Sequence, residues 1–354
     1  MRKIAVIPGD GVGIEVTAEA VKVIEAVMER SGLDLELVQF DYGAEKYLDT
    51  GITLPSEQIE EFRQGYDAIF IGALGDPRIP DRFHVREILQ NLRIKLDLFI
   101  NYRPVKLQNA KYCPLKDKTP QDVNFAVLRE NLEGPNPDIG GVFKSGTPDE
   151  EVIQQSIITL RGVRRICQNA FEFARRRGRK KVTICNCRNA LHFETDLWTR
   201  VYEEVGKEYP EIEKDSTALE DLVRQMLRCP ENFDVILTCN SFGDIIADLG
   251  AELQGGIGVA AEGNLNPGKI SMYMPIHGPL TQLVGKNAAN PLGAISAAAI
   301  MLENMGLDQE TGWINNAVKY ALDTDNTTRD FGGRLGTRQV GDFVADQIRK
   351  GAHS

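Results

Sequence analysis

Asp234–Gly250 reads DVILTCNSFGDIIADLG. Its opening, VILT, is a short apolar run rich in branched residues, the pattern of a strand buried on both faces. Asn240-Ser241-Phe242-Gly243 then reads as a tight turn, after which a helix opens. Asp244 and Asp248 fall at i and i+4 of that helix, so their carboxylates share one face. Strand, turn and helix in succession make an α/β unit, and open α/β sheets hold their ligands beyond the carboxyl ends of strands. The pair suits one hard divalent cation or one cationic partner. Of these the cation leads, with a small hydroxy acid as its natural companion.

The same alternation extends along the chain. Strand-like runs recur at Lys3–Pro8, Asp67–Ala73, Lys181–Cys187 and Asp234–Asn240. Amphipathic patterns predict helices near Glu15–Arg30, Glu151–Arg177, Thr217–Leu227 and Pro291–Met305. The fold class is therefore α/β, and 354 residues are more than one core comfortably fills, so two domains are expected. The stretch PNPDIGGVFKSGTPDE, 135–150, is expected to join a strand to a helix. It reads either as a projecting arm that pairs with a second subunit or as a surface loop.

A formal net charge of −10 argues against a general nucleic-acid binder but leaves local cationic pockets open. No apolar run reaches membrane-spanning length; PLGAISAAAIML reads as a buried helix, so no membrane partner is expected. Cys185 and Cys187 are too close for an ordinary disulfide, and four histidines give little support to a zinc site. Reduced thiols and a cytoplasmic location are the expectation.

Three arginines are candidates to hold a di- or tricarboxylate: Arg93 in NLRIKLDLF, Arg103 in NYRP and Arg129 in LREN. Guanidinium groups grip planar carboxylates through paired hydrogen bonds. Glu220 or Asp221, on the helix before the aspartate strand, can complete an oxygen shell for magnesium or manganese, although ALEDLVRQ also suits a solvated face. PGDGVG lacks the spacing of a dinucleotide fingerprint, and its glycines suit close backbone approach. IHGPLTQLVGKNAANP presents His277 and Asn290 beside a helix start, a loop able to hold an adenine and a phosphate.

Together these segments resemble the metal-dependent β-decarboxylating dehydrogenases of isopropylmalate, isocitrate, homoisocitrate and tartrate/D-malate. The resemblance runs through IAVIPGDGVG, GALGDP, LRIKLDLFINYRP, LRENLEG, NSFGDIIADLG, MPIHG and GKNAANP, nearly the full chain. The run from LRENLEG through GGVFKSGTPDEEVIQQS looks most like the tartrate/D-malate branch. The fold implied is two α/β domains flanking a cleft, not a classical Rossmann domain. Residues 1–98 and 253–354 would form the first, cofactor-side domain. Residues 99–252 would form the second, with a protruding arm near 135–150 and most contacts of a homodimer that shares its active sites.

By the same resemblance Arg93, Arg103 and Arg129 bind substrate carboxylates, while Asp244 and Asp248 bind Mg²⁺ or Mn²⁺. The aspartate given across the dimer aligns best with Glu220. His277, Gly278, Gln282 and Asn290 fall in the segment that holds the cofactor. Gln282 stands where NAD-using relatives commonly carry an acid, and no lysine beside it compensates, so NAD is expected over NADP. Gln90 replaces an apolar wall, which favours a small polar acid over an isopropyl group.

Both proton-transfer positions depart from the family pattern. Asn136 stands where the family tyrosine follows REN-x-EG, and Cys187 where its lysine follows V-T-x-x-x. Asparagine cannot transfer a proton; Cys187 is either a thiolate base or a spectator thiol, and neighbouring Arg188 is a poor base. The expected activity is a metal- and NAD(P)-dependent oxidation of a malate- or tartrate-like 2-hydroxy acid, with β-decarboxylation. The alternatives are a catalytically impaired regulatory or binding homologue and a non-redox decarboxylase or lyase.

Overall fold

The computed structural model describes residues 1–186 and 191–351. Cys187 and Arg188 lie outside the described residues. The chain begins β1 (Arg2–Ile7), α1 (Val12–Ser31), β2 (Leu35–Gln39), α2 (Ala44–Thr50), α3 (Ser56–Gly65), β3 (Ala68–Ile71) and α4 (Phe83–Lys95). It continues β4 (Ile100–Lys106), β5 (Asn124–Glu130), β6 (Gly134–Phe143), β7 (Glu151–Ile157), α5 (Leu160–Arg176), β8 (Lys181–Asn186) and α6 (His192–Gly206). Next come β9 (Glu213–Ala218), α7 (Leu219–Arg228), β10 (Val235–Thr238), α8 (Asn240–Leu253), β11 (Ala261–Leu265) and β12 (Ser271–Pro275). Three helices close it: α9 (Leu292–Asn304), α10 (Asp308–Asp323) and α11 (Thr337–Lys350).

Two compact units result. The first comprises Met1–Leu98, Arg103–Val123 and Ala251–Ser354, the second Phe99–Tyr102 and Asn124–Gly250. Arg103–Val123 thus clusters with the first unit rather than with the 99–252 stretch, because β4 carries the chain across the boundary. In the first unit β1 lies between β2 and β3 in parallel, β12 runs parallel to β3, and β11 is antiparallel to β12. The unit is completed by strands more than 180 residues downstream of β3, so it is not a classical Rossmann succession. Ile4, Ala5, Val6 and Ile7 of β1 are all fully buried, as a parallel strand covered on both faces requires.

In the second unit β10 lies between β5 and β8 in parallel, and β9 adds to β8 in parallel. Helix α5 packs Val163, Ile166, Cys167, Ala170, Phe171 and Ala174 inward, one stripe at helical spacing. Its start is set by Thr159, whose hydroxyl accepts from the Gly162 amide at 2.9 Å. Among the described residues no helix is long and apolar enough to cross a membrane.

Two local readings are corrected. Glu151–Ile157 is not the start of a helix: it is β7, antiparallel to β6, with Phe143 opposite Glu151 and Val142 opposite Val152. Residues 135–150 therefore form most of a hairpin, not a strand-to-helix connection. Two residues with left-handed backbone, Lys144 and Gly146, close its turn, and β-branched Val152, Ile153 and Ile157 suit the pairing. The second correction is at 240–243. These residues are the first turn of α8 rather than a separate turn, with the Gly243 amide donating to Cys239 O at 3.1 Å.

Candidate functional site

The second unit brings Arg129 and Asp244 together. Arg129 sits near the end of β5, opposite Thr238 of β10, so the residue that opens α8 lands beside its side chain. Its Nε donates to the main-chain oxygen of Asn240 at 2.8 Å and its Nη2 to Asn240 Oδ1 at 2.9 Å. Its Nη1 donates to Asp244 Oδ1 at 2.7 Å. The arginine is buried, whereas the Asp244 side chain is 55% exposed. Gly243 allows this approach, since a Cβ there would lie 2.5 Å from Arg129 Cγ.

Asp244 and Asp248 are both exposed on α8, four residues apart. Two carboxylates at this spacing are a donor set for a hard cation, which takes oxygen ligands. They form only part of a shell. Among the described residues no group of three His, Cys, Asp or Glu gathers for a metal. Glu220 and Asp221 are exposed in the first turn of α7, and neither joins the two aspartates within one chain.

Asn136 lies in β6, and its Nδ2 donates to Asn131 O at 3.1 Å. Its amide is thus engaged with main chain at the position expected for proton transfer. Glu130, which neither the motif reading nor the pattern singled out, is buried, and burial pushes its carboxyl up to about 7.

The first unit joins Arg93 and Arg103. Arg103 Nε donates to Glu262 Oε2 at 2.8 Å, and Arg93 Nη2 reaches Glu262 Oε1 at 3.4 Å. Arg93 Nε donates to Asn264 Oδ1 at 2.9 Å. Glu262 is only 2% exposed, a buried acid between two guanidinium groups. Its one sequence signal was an acid inside the apolar run VAAEGNL, and it went unread. Gln90 lies on α4, three residues before Arg93, and is half-buried.

His277 opens a third group. Its Nδ1 lies 2.9 Å from Gly278 O, the geometry of a donated N–H, which leaves Nε2 as an acceptor. That Nε2 is buried and has no partner among the described residues. Burial holds the imidazole below its ordinary range, with the Asp330 charge opposing. A cavity of about 920 Å³ is lined here by His277, Lys286, Asn290, Arg329, Asp330 and Arg334 among others. Asn290 Nδ2 donates to Asp330 Oδ2 at 3.0 Å.

An orphaned buried acceptor on a polar cavity of this size fits an adenine, whose exocyclic amine donates. Gly278 and Gln282 are exposed and are not on that cavity's wall. Lys286, four residues beyond Gln282 in sequence, lines the cavity with Arg329 and Arg334.

The turn in PGDGVG makes the close approach its glycines implied. A side chain at Gly9, whose φ is 79°, would collide with Ala73 O. Between its glycines, Asp10 accepts from Ala44 N at 2.6 Å and Gly75 N at 2.7 Å, and meets His84 Nε2 of α4 at 3.0 Å.

Residues 3–344 match the family model described as isocitrate/isopropylmalate dehydrogenase. The chain is 41% identical over 348 residues to the 3-isopropylmalate dehydrogenase of Thermobifida fusca, covering 98% of this chain and 97% of that protein. It is 37% identical over 358 residues to the tartrate dehydrogenase/decarboxylase of Pseudomonas putida, covering 98% of each. The crystal structure of isocitrate dehydrogenase from Methylococcus capsulatus superposes with a TM-score of 0.87 at 32% identity, over 99% of this chain and 100% of that one.

Proposed function

The chain belongs to the isocitrate/isopropylmalate dehydrogenase family, and from that premise we propose that it oxidises a malate- or tartrate-like 2-hydroxy acid with β-decarboxylation. The observation that carries this reading is the contact of Arg129 with Asp244. It sets a carboxylate-gripping guanidinium directly beside the first of two oxygen donors for a divalent ion. Gln90, on the helix that carries Arg93, supports a small polar acid over a branched apolar one.

In this reading Asp244 and Asp248 hold Mg²⁺ or Mn²⁺, and Glu220 of a second copy completes the shell. The ion, when bound, supplies Lewis acidity at the hydroxyl and its neighbouring carboxylate. Arg93, Arg103 and Arg129 orient the acid by its carboxylates. His277 Nε2 accepts from the adenine amine, and Asn290, with Gly278 and Gln282 nearby, completes the cofactor segment. Cys187 is the proposed proton acceptor. A homodimer follows from the shared shell, and the β6–β7 hairpin is its proposed arm: Phe143 and Val152 are 52% and 70% exposed on it. We place the protein in the cytoplasm.

NAD is the proposed nucleotide, because Gln282 adds no positive charge. Lys286, Arg329 and Arg334 favour NADP as a second reading, since a 2′-phosphate needs cations. Loss of turnover is also a second reading of the whole site. With Asn136 bonded to main chain, a regulatory homologue or a non-redox decarboxylase uses the same residues for binding alone.

The test is turnover of D-malate, tartrate, isocitrate and alkylmalates with Mg²⁺ or Mn²⁺ and each nucleotide, following reduced nucleotide and carbon dioxide together. Both products from malate or tartrate are expected. Carbon dioxide alone supports the lyase, and binding without either product supports the regulatory homologue. Preference for isopropylmalate overturns the substrate assignment.

A further inference from the structure

A cavity of about 10 Å³ lies in the second unit, lined on the α8 side by Asn240 and Ser241. Its wall includes Glu130, Glu194, Trp198, Cys239 and Asn240. That volume is about one water molecule. Two donors of wall residues, Trp198 Nε1 and Asn240 Nδ2, are buried with no acceptor among the described residues. Both residues are 4% exposed, so bulk solvent does not serve them. Glu130 and Glu194 bring carboxyl groups to the same wall.

The donor set selects the occupant. A metal or ammonium ion is repelled by two inward N–H groups, and an anion by two carboxyls. A neutral molecule that accepts twice and donates twice satisfies all four groups, and at this volume only water does so. We propose that the cavity binds one water molecule, and that this water fixes the Asn240 amide as the positioning group for Arg129. The amide is then held at both ends. Nδ2 donates to the water, while Oδ1 and the main-chain oxygen of the same residue accept from the guanidinium at 2.9 and 2.8 Å. Arg129 can then turn only with Asn240, which keeps its Nη1 directed to the side where Asp244 stands. This second half rests on the reading of Arg129 as a carboxylate clamp.

Among the described residues few charged or titratable groups surround the cavity. Glu130 ends β5, Glu133 follows it, Glu194 comes from α6, and the Cys239 thiol precedes α8. Arg165 of α5 acts on Glu130 from a distance. Burial raises both Glu130, to about 7, and Glu194. At pH 6 a proton therefore resides on Glu130, and at pH 8 it has left.

The experiment has two arms. A high-resolution crystal structure of the full chain is expected to show one water within about 3.2 Å of both Trp198 Nε1 and Asn240 Nδ2. A dry cavity, or a direct protein bond to either donor, overturns the water. In the second arm, tartrate and D-malate affinity is measured with Mg²⁺ by calorimetry for the wild type, Asn240→Asp and Trp198→Phe.

Asn240→Asp keeps the acceptor for Arg129 but turns a carboxylate towards Glu130. Its dissociation constant is expected to rise about tenfold at pH 8 and to return near the wild-type value at pH 6. Trp198→Phe, which keeps the shape and removes one donor, is expected to weaken acid binding about threefold while leaving nucleotide binding unchanged. Equal loss at both pH values for Asn240→Asp, or loss of nucleotide binding with Trp198→Phe, overturns the positioning role. A wild type that binds neither acid overturns the functional reading and the positioning role together; the crystallographic water is still judged by itself.

Discussion

Two arginine sites of this molecule differ in what stands against the guanidinium. In the first unit Arg93 and Arg103 meet Glu262, a carboxylate 2% exposed. In the second unit Arg129 meets Asp244, whose side chain is 55% exposed, and an amide oxygen of Asn240. A buried counter-ion is permanent, because removing it strands a desolvated charge. An exposed one is exchangeable, because water or another ligand can take its place at small cost. Glu262 therefore belongs to the scaffold that aims two arginines, and Asp244 to the part that trades partners when a ligand arrives.

Glu262→Ala breaks the permanent side of this contrast and should give the largest effect. Loss of a buried partner costs about 3–5 kcal/mol, and here two guanidinium groups share it. Urea unfolding at neutral pH should show that loss in the midpoint with the slope unchanged. A shift of less than about 1 kcal/mol would mean that Glu262 is no better placed than a surface acid.

Asp244→Asn tests the exchangeable side. Stability should change by less than about 1 kcal/mol, since the pair is half in water. Divalent-ion affinity, read by calorimetry on the full chain, should fall at least about tenfold, or about 1.4 kcal/mol. Opposite results, an unfolded variant with intact metal binding, would reverse the assignment of the two sites.

This contrast also marks how far the sequence could be read. The strand-and-helix unit around Asp244 was legible because VILT is apolar and β-branched for most of its length and the two aspartates repeat at helical spacing, both local signals. The turn in PGDGVG was legible through glycine sterics alone. Glu262 was not, because its meaning comes from Arg93 and Arg103, which precede it by 169 and 159 residues. The hairpin strand Glu151–Ile157 was misread as helix for a related reason. EVIQQSI carries no buried face to set a period, and only its partner β6 makes it a strand. Asn240 passed as a turn residue, although its side chain holds Arg129; a chain-order reading cannot show which strand end faces it.

His277 extends the contrast to a group that waits for a ligand. Burial lowers its pKa, so the unfolded chain binds more protons than the folded one below the ordinary histidine range, about 6.5. The stability it contributes is present above that range and is lost as pH falls towards the depressed folded value. Nucleotide affinity should follow, because a proton on Nε2 replaces the acceptor that an adenine amine needs. Fluorescence titration of the nucleotide should weaken several-fold between about pH 7.5 and 5.5, and His277→Gln should flatten that dependence. An identical slope in the variant would place the titrating group elsewhere.

Glu130 sharpens the comparison least but most cleanly, because its sign is opposite. It is buried like Glu262, yet it accepts from two amides, Leu132 N at 3.1 Å and Glu133 N at 2.8 Å, rather than from a guanidinium. Desolvation therefore wins over hydrogen bonding and raises the carboxyl to about 7. A raised folded pKa means the native state holds the extra proton. The contribution is complete below the unfolded value, about 4.3, and is lost as pH climbs through 7. Glu130→Gln keeps an acceptor for the amides and removes the titration. Relative to the wild type it should gain stability at both pH values, by on the order of 2 kcal/mol more at pH 8 than at pH 5.5. Urea unfolding at the two pH values measures the difference, and a variant destabilised more at pH 8 than at pH 5.5 would show that Glu130 is held as an anion, by a counter-charge of the kind Glu262 has.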